Sequence, residues 1–166
     1  MRIHVVGAMI GILASAFVAS PVPLVAQGAA PAPGTATGTF AVAGKSVPLT
    51  HAVAFNSGAI IYLAITDQTL PPDEVKSEFD LAMYQFKHKV VGLELTLDHT
   101  RKVTETAYRW ELTQTPCAGC FDVSISGRPE GPLTGTVKTT AKGQAAKLAV
   151  DIAFSAPFAK PSAVKK

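Results

Sequence analysis

The chain has 166 residues, 48% hydrophobic and 16% charged, with a formal net charge of +3 at pH 7. That length suits one domain with its own core, and the small charge excess, without a basic stripe interleaved with aromatics, argues against a nucleic-acid surface. Two cysteines allow one disulfide, and thiolates alone fall short of the four ligands of a structural zinc site.

At the start, Arg2 precedes an apolar run over residues 5–18 and then small residues and prolines. A charged beginning, a short apolar stretch and a small-residue exit predict a secretory signal peptide over residues 1–26. The run is too short, and too broken by Gly7 and Gly11, for a membrane span, which needs about 20 apolar residues. The expected product is periplasmic or secreted, without a span once the signal is removed. Residues 27–37, uncharged and rich in Ala, Pro and Gly, read as a flexible spacer. Residues 38–158 are expected to form a single domain, and residues 159–166, with Lys160, Lys165 and Lys166, a solvated basic tail.

Phe40 and Val42 open a strand that turns at Gly44-Lys45, after which Val47, Leu49, His51, Val53 and Phe55 alternate onto one face. Asn56-Ser57-Gly58 is a turn signal. The following run, residues 59–66, is apolar in both phases, as in a strand covered on both sides. Pro71-Pro72-Asp73-Glu74 then resembles a helix start, since proline is tolerated in the first turn and carboxylates suit its positive end. Val75, Phe79, Ala82 or Met83, and Phe86 recur at three- and four-residue steps, predicting an amphipathic helix over 73–86. Leu81, Met83 and Gln85 also alternate, so a short helix followed by a strand over 80–87 competes.

The cleanest pattern lies in residues 90–112. Val91, Leu93, Leu95 and Leu97 share one phase, with Glu94 on the other; beyond the corner Asp98-His99-Thr100-Arg101, Tyr108, Trp110 and Leu112 share a phase opposite Glu105, Arg109 and Glu111. This predicts a hairpin with one dry side and one wet side. Phe121, Val123 and Ile125 begin a further strand, residues 133–141 a Thr-rich one, and Lys142-Gly143-Gln144 a hairpin corner. Ala146, Leu148, Val150, Ile152 and Phe154 form the longest apolar phase and predict a strand deep in the sheet. The fold class is mainly β, about eight antiparallel strands in a small barrel or sandwich with one helical insert.

Cys117-x-x-Cys120 leads into strand rather than helix periodicity, so in an exported chain a local disulfide is expected over a redox or metal pair. No metal site, cofactor or catalytic set is predicted. His51 shares an apolar phase and is expected to face the interior as a hydrogen-bonded residue or a ligand contact. Tyr108 and Trp110 are core aromatics or the lining of a small cavity, which an eight-stranded barrel can hold. With His51, they are the candidate ligand-binding residues. Glu94 and Glu105 are expected on the wet face.

Four short stretches, residues 38–45, 64–67, 92–98 and 154–157, resemble a family of small exported bacterial β-domains. The resemblance spans most of the domain, implies a β fold, and carries no assigned reaction, ligand or residue role. The favoured expectation is an exported non-enzymatic module that binds a small apolar ligand or a protein partner. The alternative is a periplasmic thiol or metal protein using Cys117 and Cys120. A third reading, a hydrolase, requires at least a cleft that gathers His51 with a carboxylate and a hydroxyl.

Overall fold

A computed structural model describes residues 31–127 and 131–159. The expected signal peptide, the first part of the spacer and nearly all of the basic tail lie outside the described residues. The described residues fold as ten antiparallel strands and two short helices. The strands are β1 (Thr35–Val42), β2 (Lys45–Pro48), β3 (His51–Ser57), β4 (Ile60–Thr66), β5 (Gly92–Asp98), β6 (Val103–Trp110), β7 (Thr113–Pro116), β8 (Phe121–Ser126), β9 (Leu133–Thr139) and β10 (Leu148–Ala156). The helices are α1 (Glu78–His88) and α2 (Ala141–Ala145). β1 begins inside the stretch read as a spacer.

In the sheet the order is β7-β6-β5-β4-β3-β1-β10-β9-β8, with β2 also paired to β1. The first and last strands of that order, β7 and β8, are consecutive in sequence and joined by the turn at residues 117–120. A four-residue connection can join opposite ends of a sheet only if the sheet curls, and the result is a half-barrel. Its inner face holds the main core: Leu63 and Ile65 of β4, Leu93, Leu95 and Leu97 of β5, and Ile152 and Phe154 of β10 are at most 1% exposed. The leucines of β5 thus point inward as their alternation requires. Across the interior Phe40 of β1 meets Tyr108 and Trp110 of β6 edge to face, with ring centroids 5.8 and 5.6 Å apart.

The outer face is covered over β3 and β4, where Phe55, Tyr62 and Ala64 pack under Val75 and Leu81 in a second apolar cluster. This is why β4 is apolar in both phases. Gly38, at φ +138°, stands where β1 exchanges one neighbour for another: Thr35 pairs with β3, whereas residues from Thr39 onward pair with β2. A Cβ there would meet the Asp151 carbonyl oxygen, so only glycine fits.

Several expectations need correction. Val47 to Phe55 is not one face, because the chain breaks between β2 and β3. Leu49 is buried in the main core, whereas Val53 and Phe55 join the outer cluster. Helix α1 starts later than predicted, capped by the Ser77 side chain accepting from the Asp80 amide, and the strand alternative for 80–87 is absent. Its apolar phase is reversed: Phe79, Met83 and Phe86 are exposed, and Leu81 and Gln85 are buried. Residues 141–145 form a second helix, not a hairpin corner, with Thr140 as its N-cap. Leu112 lies in the turn between β6 and β7 and is exposed.

Candidate functional site

A cleft of about 640 Å³ opens on the outer face between β3, the loop preceding α1 and the segment after β10. Val53, Phe55, Leu70, Val75 and Pro157 make its walls mainly apolar, and His51, Thr69, Asp73 and Lys76 supply polar groups. Alternation along β3 accounts for one wall: Ala52 and Ala54 turn to the main core, leaving His51, Val53 and Phe55 on the cleft side. The opposite wall is a loop held at both ends. The Asp67 amide donates to the Val91 carbonyl, and Asp67 Oδ1 accepts from the Val91 amide at 2.9 Å. Further on, the Pro71 carbonyl accepts from the Glu74 and Val75 amides, a turn that drops Val75 into the outer cluster. The third wall comes from the end of the fold, where the Ala54 amide donates to Pro157 and the Ala159 amide to Ala54, a short parallel pairing along the β3 edge.

His51 is held on both ring nitrogens by hydroxyls, Thr50 Oγ1 at 2.8 Å from Nδ1 and Thr69 Oγ1 at 2.6 Å from Nε2. Thr50 Oγ1 also donates to the Asp67 carbonyl. Because the Thr50 hydroxyl proton is used on Asp67, Nδ1–H donates to Thr50, whereas the contact between Nε2 and the Thr69 hydroxyl accommodates a proton on either atom. The histidine therefore keeps a fixed orientation at the cleft. It sits beside the cleft and not inside the barrel, because the break after β2 moves it to the other side of the sheet. The cleft does gather His51 with a hydroxyl, Thr69, and a carboxylate, Asp73, the minimum a hydrolase would require. Yet Nδ1 faces a hydroxyl where a triad has a carboxylate, so no charge is aimed at an imidazolium formed there.

Tyr108 and Trp110, the other two sequence candidates, are on the inner face against Phe40, away from this cleft. Cys117 and Cys120 are bonded to each other, and Cys120 is fully buried. Their turn is fastened to α2: Lys142 Nζ donates to the Ala118 carbonyl at 2.7 Å, and Thr140 Oγ1 to that of Gly119 at 2.7 Å. Thiol chemistry would require this pinned turn to open. A bonded pair is compatible with an extracellular protein. Among the described residues no group of three or more His, Cys, Asp or Glu side chains is placed to hold a metal, and no helix is long and apolar enough to cross a membrane.

Sequence reasoning missed a buried polar cluster on the outer face. Glu94, expected on the wet side, is 2% exposed. Tyr62 Oη donates to its Oε2 at 2.6 Å, Arg109 Nε donates to its Oε1 at 3.1 Å, and Gln114 Nε2 also donates to Oε2. Burial, and next the Glu94 charge, push the Tyr62 phenol well above its ordinary value, so it remains a donor. A signal for this cluster existed: Glu94 pairs across the ladder with Ala64 in the doubly apolar β4, so cover over β4 reaches Glu94 too. Every carboxylate oxygen of Glu94 is satisfied, which marks the cluster as structural.

No family model matches the chain, and no curated protein and no solved structure is significantly similar to it.

Proposed function

We propose that the protein is an exported, non-enzymatic binding domain, periplasmic or secreted, whose outer cleft takes a small, largely apolar ligand with one polar end. The observation that carries this reading is the cleft itself: its volume of about 640 Å³ falls in the range of small-molecule sites, roughly 300–1,000 Å³. Apolar walls from Val53, Phe55, Leu70 and Val75 would contribute affinity through burial, and His51 and Lys76 would orient a polar or anionic end. Its walls are fixed by backbone pairing on three sides, which reduces the ordering cost of binding.

The test uses anilinonaphthalene sulfonate, a probe with an apolar body and an anionic group. The native protein should bind it saturably with enhanced fluorescence, and Val53→Trp, which fills the cleft from a half-buried position, should weaken binding at least tenfold while leaving the circular dichroism unchanged. Equal binding by the native and Val53→Trp proteins would reject the cleft as the site.

A further inference from the structure

Helix α1 carries its large apolar residues on the side away from the protein. Phe79, Met83 and Phe86 are 72%, 57% and 61% exposed, while Leu81 and Gln85 make the inward contact. At about 100° per residue these three form a single stripe along the outer face of the helix. Asp80 and Lys87 flank the stripe on one side, and Glu78 and the C-cap residue Lys89 flank it on the other. On both sides the acid is near the N-terminal end and the base near the C-terminal end.

We infer that this stripe is a self-association surface, and that its occupant is helix α1 of a second copy of this chain packed antiparallel about a twofold axis. Such an axis keeps each flank of one helix beside the same flank of its partner while reversing direction. Glu78 of one copy is then brought to Lys89 of the other, and Asp80 to Lys87. Phe79 meets Phe86 across the interface, and Met83 lies close to the axis and meets its own counterpart. A parallel pair would set like charges side by side. An anionic lipid surface would have to accept Glu78 and Asp80 next to the inserted aromatics, whereas a second copy supplies bases to both.

With only 11 residues the helix is about 16 Å long, so the contact falls below the roughly 800 Å² per partner of stable complexes. The dimer is therefore a concentration-dependent one, held by the aromatic stripe and oriented by the charges.

Sedimentation of the purified protein over a wide concentration range should show reversible dimerisation, and Phe79→Ser should raise the dissociation constant at least tenfold. Orientation is read by cysteine cross-linking under mild oxidation. Met83→Cys should couple to itself, and Phe79→Cys should couple to Phe86→Cys in a mixture but not to itself. Glu78→Lys should weaken the dimer, and adding Lys89→Glu to it should restore association. All these side chains are exposed, so the fold survives each change. A protein that stays monomeric throughout, self-coupling of Phe79→Cys as efficient as that of Met83→Cys, or a stripe-dependent affinity for anionic phosphatidylglycerol vesicles without self-association would each overturn the proposal.

Discussion

Glu94 shows how much depends on one carboxylate taken out of water. Three donors converge on it, and the ion pair with Arg109 has side-chain exposures of 8% and 2%. Removing one partner of such a pair leaves an uncompensated buried charge, so Glu94→Ala should cost about 3–5 kcal/mol in urea unfolding. The same cluster sets a pH limit. Tyr62 holds its proton more tightly in the folded protein than in the unfolded chain, whose phenol titrates near 10. Stability from this group is complete below that pH and declines as pH rises above it. Of the three tyrosines, Tyr62 should resist ionisation in an alkaline absorbance titration until the protein unfolds. At the β5–β6 corner the opposite direction holds: the Thr100 hydroxyl, together with the Lys102 and Thr100 amides, hydrogen-bonds the Asp98 carboxylate and lowers its pKa below the ordinary value.

At the scale of elements, helix α1 shows where periodicity misleads. Two phases along it carry apolar residues, and the one with the larger side chains, Phe79, Met83 and Phe86, is outside. Burial is decided by what the sheet presents, and the small Ala64 and the Tyr62 ring leave room for Leu81 in the outer cluster. No local count of hydrophobic residues contains that information. Strands fared better because their period is fixed by the backbone: the inward leucines of β5, the double cover of β4 and the deep position of β10 were all legible. The turn at residues 117–120 was legible as a disulfide from the spacing of its cysteines, the strand periodicity that follows them and the expected export. Closing so short a loop should contribute about 2 kcal/mol through restriction of the unfolded chain. Reduction, followed by thermal unfolding, should lower the midpoint by several degrees without abolishing the fold.

For the molecule as a whole, the mainly β class and a barrel or sandwich of antiparallel neighbours could be read from the chain, but neither the order of the strands nor the cleft could. The order depends on which strands become neighbours across long sequence gaps, as when β1 inserts between β3 and β10. The cleft depends on the break at Leu49 and Thr50, a two-residue interruption that transfers His51 from one side of the sheet to the other. His51 was thus selected as a candidate on a mistaken phase and reached the cleft by a different route. Tyr108 and Trp110 were selected on a correct phase and are in the packed interior.

Gly34 and Ala159, which border the cleft, are also close to the two limits of the described core. The described chain thus enters and leaves the fold at the rim of the same opening. A fusion partner joined directly ahead of Gly34 or directly after Ala159 would be tethered at that mouth, competing with or screening a guest. Occupancy experiments belong on untagged material, and a guest lost on tagging but regained on cleavage would itself report where it sits.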